Sequence, residues 1–85
     1  MTTWKVSFSQ PVNIHVDVDN VEKSPSKESI LKKLEESNLS RYDKLRAKNC
    51  LHSLTVPWIV TDNSPVYFHS SHPDLGNVSI TVKKA

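Results

Sequence analysis

Glycine is nearly missing from this chain: Gly76 is the single one among 85 residues. Loops that cradle a nucleotide phosphate need several glycines so that backbone amides can approach the anion, which argues against that class. Cysteine is equally scarce. Cys50 stands alone, so no internal disulfide holds the fold. A reducing cytosol fits, since small secreted scaffolds are commonly disulfide-rich. Long apolar runs are missing too. The longest lies near VPWIV at residues 56–60, far below the ~20 residues that cross a bilayer. The opening MTTWKVSFSQPVNIHVDVD has no cationic start followed by an apolar stretch. No signal peptide is therefore expected, and the chain reads as one complete small gene product in the cytoplasm. Neither sign of charge dominates. Eleven basic and nine acidic residues leave a net +2, too little to imply nucleic acid or an acidic membrane by itself.

What is present is periodicity. A chain of this length holds one domain, residues 1–85, with one core. From 4 to 18 the apolar residues Trp4, Val6, Phe8, Val12, Ile14, Val16 and Val18 are all even and their polar neighbours odd, the period of a half-buried strand. One unbroken strand of that length would reach about 50 Å at ~3.3 Å per residue, too long for a small globule. The run must turn, and Ser9-Gln10-Pro11 is the place. Ser24 followed by Pro25 predicts a helix start, with Ile30, Leu31 and Leu34 as its apolar stripe. Ser37-Asn38 predicts its end. Ser40 and Asp43 resemble a capping box, opening a second helix from about Arg41 to Cys50 with Tyr42, Leu45 and Asn49 on one side. Leu54, Val56, Trp58 and Val60 alternate again. A turn-forming run from Thr61 to Pro65 separates them from Val66–His69, and Val78, Ile80 and Val82 alternate near the end. Pro57 lacks an amide donor, which makes its strand an edge or a bulge.

The expected fold is α+β, in the order ββα(α)βββ: a small, mostly antiparallel sheet of four or five strands with one or two helices, about 25–50, packed on one face. Val6, Phe8, Ile14, Val16, Val56, Trp58, Phe68 and Ile80 should be buried together with Ile30, Leu31 and Leu34. Tyr67 and Ile59 fall on the opposite parity. The βαββαβ order of an RNA-recognition motif is not the order here. The stretch ILKKLEESNLSRYDKLRAK has the outline of a helix-turn-helix but lacks the turn glycine, and strands dominate the remainder.

Chemistry-bearing residues are scattered. His69 and His72 with Cys50 and His52 make a loose zinc pattern. The C-x-H pair points its side chains apart on regular backbone, and H-x-x-H is shorter than the usual spacing. No metal ligands and no cofactor are expected. His15, Asp17 and Asp19 share one strand face at intervals of about 7 Å, a solvated face rather than a cation cage. No serine sits in a nucleophile-elbow pattern, Cys50 reads as a small buried residue, and Glu35 and Glu36 point apart on a helix. No catalytic residues and no enzymatic activity are expected.

One asymmetry remains. RYDKLRAK holds four cations and one acid, and at 100° per residue Arg41, Lys44 and Lys48 share a helix face. Tyr42 borders it, and aromatics beside cations are a common hot-spot composition. The expected function is a small non-catalytic binding protein, a regulator or inhibitor acting by protein contact. A phage-type antagonist of a host enzyme or defence complex is the kind of protein that fits. Its partner would be another protein with an acidic surface patch, met by Arg41, Tyr42, Lys44 and Lys48. Nucleic acid bound by the basic helix 41–48 is the alternative, and no membrane is expected. Oligomeric state is not legible, because an edge strand pairs with a symmetry mate or does not without leaving a sequence mark.

Overall fold

Two apolar rows crossing a single sheet organise the molecule. A computed structural model describes residues 2–10, 12–21, 24–54, 56–61 and 65–85. The expected bend at Pro11, and positions 62–64 of the expected turn, lie outside the described residues. Strands β1 (Thr2–Gln10), β2 (Ile14–Val21), β3 (Val66–His72) and β4 (Gly76–Lys84), with helices α1 (Lys27–Glu36) and α2 (Arg41–Ser53), follow in the order ββααββ. The sheet order is β2-β1-β4-β3 and every pairing is antiparallel. Ile14, Phe8, Ile80 and Phe68 lie across the sheet in one row, and Val16, Val6, Val82 and Val66 in the next. Even-numbered residues thus form a continuous apolar face, as the alternation predicts. The first and last strands pair at its centre, and that pairing closes the chain on itself.

Both helices lie on this face. Ile30 and Leu34 of α1 and Ala47, Cys50 and Leu51 of α2 join the same buried cluster as Trp4, Val6, Phe8, Val78 and Ile80. The opposite face is left polar. One of its rows runs His15, Ser7, Thr81, Tyr67 and another Asp17, Lys5, Lys83, the ordinary division of an antiparallel sheet with one solvated side.

Three expectations need correction. Helix α1 is capped by Ser26, not Ser24: Ser26 Oγ accepts from the Ser29 amide at 3.2 Å. Pro25 is fully buried instead of opening the helix. Its carbonyl accepts from Trp58 Nε1 at 3.0 Å, which holds it outside the helix. Helix α2 runs three residues past Cys50, because Ala47, Cys50, Leu51 and Leu54 make a buried stripe at helical spacing that continues to its end. Ser40 caps its start through the Asp43 amide at 3.1 Å, as expected.

The third correction is the run from Leu54 to Val60, which among its described residues forms no strand. Leu54 caps α2, and Pro57 removes a ladder donor. Val56 and Ile59 are exposed. Trp58 is half-buried and lies flat on Phe68, with ring centroids 4.5 Å apart and planes 9° from parallel. The segment is a strap anchored by one aromatic side chain. Ile14 and Leu31, also expected in the core, pack half-buried at its border.

Candidate functional site

Helices α1 and α2 are joined by the four residues 37–40 and pack against each other. Their buried stripes face the sheet, so their adjacent outer flanks leave a groove between them. It has a volume of about 360 Å³ and is lined by Leu31, Leu34 and Glu35 from α1 and Arg41, Lys44, Leu45 and Lys48 from α2. The leucines give it an apolar floor. Leu45 is 55% exposed, an aliphatic side chain left in water at the groove wall.

The three cations that share a face of α2 all line this groove, but they are not equivalent. Lys44 Nζ donates to the Glu35 carbonyl at 3.1 Å. That carbonyl lies in the last turn of α1, where acceptors have no partner within the helix. Lys44 is therefore a tie between the two helices, in the manner of a cation at a helix C-terminus. Arg41 and Lys48 have no hydrogen-bond or ion-pair partner among the described residues. Three cations against the single Glu35 carboxylate give the groove a local excess as large as the net +2 of the whole chain.

Tyr42, expected at the border of this face, does not line the groove. It is 65% exposed, with the Arg46 guanidinium 5.6 Å from its ring centroid. Leu31, Leu45 and Glu35 were not singled out from the sequence as site residues. Leu45 could have been, since 100° periodicity sets it beside the face of Arg41 and Lys48, within about 60° of both. The α1 contribution had no such signal.

The histidines do not converge. His69 and His72 lie on opposite faces of β3, as residues of odd and even parity must. His69 Nδ1 is 3.0 Å from Ser79 Oγ on the open face. His72 Nδ1 accepts from the amides of Asp74 at 3.1 Å and Leu75 at 3.3 Å. In the neutral ring its other nitrogen then carries the proton, so neither nitrogen offers a free lone pair. His52 lines a second hollow with His72 and Asp74, while Cys50 is buried in the core. Among the described residues no group of three histidine, cysteine or acidic side chains is placed to hold a metal. Asp19 is engaged by Thr3 Oγ1 at 3.1 Å and by Lys33 Nζ at 4.0 Å. Burial pushes the Cys50 thiol above its ordinary value, and the nearby charge of Arg46 opposes this only in part. That is the reverse of what a nucleophilic thiolate needs. No described helix is long and apolar enough to cross a membrane. Comparison with protein-family models, with curated proteins and with solved structures gives no match for this chain.

Proposed function

We propose that this chain is a small cytosolic binding protein, non-catalytic, which regulates or inhibits another protein by docking the α1–α2 groove on an acidic patch of it. The observation that carries this reading is the pairing of an apolar floor with two uncommitted cations, Arg41 and Lys48, at one groove. Apolar centre and charged rim are the composition of a protein interface. Nucleic acid fits the groove less well. Its floor is aliphatic and offers no aromatic platform on which a base would stack. With Lys44 tied to the Glu35 carbonyl, two free cations would give a salt slope of only about −2 in log K against log salt.

The test is affinity capture from a lysate of the source organism, with and without nuclease, comparing wild type with Arg41→Glu/Lys48→Glu. A protein held by wild type after nuclease treatment and lost by the folded variant supports the reading. If the variant retains every partner, or if nuclease releases all of them, the groove is not a protein-docking site.

A further inference from the structure

The groove's geometry points further than to an acidic surface in general. We propose that its occupant is a continuous acidic-apolar segment of the partner, with two carboxylates about 10 Å apart that bracket one aliphatic side chain. This rests on the groove being the contact surface.

Arg41 and Lys48 are seven residues apart on α2. Seven steps of 1.5 Å place their backbones about 10.5 Å apart along the axis, and seven turns of 100° return to within about 20° of the same face. The two cationic side chains therefore start from the ends of a line two helical turns long. Along the axis Leu45 falls between them, to one side of their line, and Leu31 and Leu34 of α1 line the same groove. The middle cation, Lys44, is held by the Glu35 carbonyl, so its charge is committed within the molecule while Leu45 stays exposed. The pattern offered is cation, aliphatic surface, cation.

A ligand complementary to that pattern is carboxylate, aliphatic, carboxylate. In an extended strand, acids three residues apart point to opposite faces, so a strand does not present this pair. In a helix they would stand seven apart. Phosphate groups of a nucleic acid match the charges but put sugars and bases between them, with no aliphatic side chain for Leu45. A flat acidic surface without a projecting aliphatic side chain would leave Leu45 in water.

The probe is a displayed library of random 12-residue peptides, selected on wild-type protein and counter-screened on Arg41→Gln/Lys48→Gln. Both substituted side chains are free of partners among the described residues, so an unchanged melting temperature is expected and verifies the fold. Selected peptides should carry Asp or Glu at a separation of seven, with Leu, Ile or Met between. Affinity measured on synthetic versions should fall on the order of 10-fold in the double variant, as two solvent-exposed charge pairs allow. Leu45→Ser should weaken the same peptides with the charges intact. Enrichment of sequences without carboxylates, or affinity indifferent to both variants, would overturn the proposal. So would a 12-nucleotide single strand, or a second copy of the chain, that binds through Arg41 and Lys48 more tightly than any selected peptide. If capture of a protein partner depends on Arg41 and Lys48 while the peptides fail, the inference falls alone. If both fail, the docking reading falls with it.

Discussion

Lys44 on α2 and Glu35 on α1 are joined through a side-chain ammonium and a backbone carbonyl, 3.1 Å apart. The contact makes the charged side of α2 partly a structural element, because one of its three groove cations satisfies an orphan acceptor of the neighbouring helix.

Replacing Lys44 by Met keeps the aliphatic stem and removes the donor. The cost should be about 0.5–1 kcal/mol, the net value of one partly solvated hydrogen bond. Lys44→Arg should recover much of it. Arg41→Met and Lys48→Met, with no bond to lose, should stay within about 0.5 kcal/mol of wild type. Urea denaturation followed by tryptophan fluorescence measures all four, and equal costs at the three positions would remove the tie.

Trp58 fixes the strap to two other parts of the chain, stacking on Phe68 and donating to the Pro25 carbonyl at 3.0 Å. Trp58→Phe keeps an aromatic ring but strands the carbonyl, and should cost about 1 kcal/mol. Trp58→Ala removes both contacts and should cost roughly 2–3 kcal/mol, less than a fully buried tryptophan because the ring is half exposed to water. If the two variants unfold at the same denaturant concentration, the stack contributes nothing.

Gly76 opens β4 with φ +77, after the turn in which His72 collects the amides of Asp74 and Leu75. A Cβ there would meet nothing within 4 Å, so any penalty is backbone strain alone. Gly76→Ala should destabilise by about 1–2 kcal/mol, and Gly76→Asn by less, since Asn tolerates the left-handed region. A neutral Gly76→Ala in thermal denaturation would contradict the positive φ.

Cys50 gives the pH dependence a sign. Burial favours its neutral thiol, with Arg46 opposing in part, so the folded value lies above the ordinary 9.0. The folded state then holds this proton more tightly than the unfolded state. The stabilisation is fully present below the unfolded value and is lost as pH rises from about 9 through the folded value. Melting temperature should fall more steeply above pH 9 in wild type than in Cys50→Ala, even though the alanine variant starts lower through its cavity. Native Cys50 should also resist a disulfide-exchange reagent at pH 8 until the chain is unfolded. Prompt reaction in the native state would place the thiol outside the core.

The sequence by itself determined which face of the sheet is apolar. Strict alternation at residues 4–8 and 14–18, and again at 78–82, admits only one face toward a core, because a one-residue slip would turn every apolar side chain to water. It also determined the start of α2, where Ser40 stands before a helical run. The boundary of α1 was not legible, because Ser24 and Ser26 are both competent caps. The choice between them was made by Trp58, 33 residues away from Pro25 in sequence. The run from Leu54 to Val60 misled because alternation is necessary for a strand but not sufficient. The same Leu54 also completes the helical stripe of Ala47, Cys50 and Leu51, and the helix wins by burying all four.

The cations of the candidate site were legible for a similar reason, since Arg41, Lys44 and Lys48 share one face of one helix at any tertiary arrangement. Only the tertiary structure decided which of them are free. Whether Lys44 finds an acceptor depends on where the end of α1 lies, and that acceptor is a backbone carbonyl, a group every residue carries and no sequence pattern marks. The apolar floor has the same origin: Leu31 and Leu45 belong to different helices, and only the packing of α1 against α2 on a common sheet brings them to one groove.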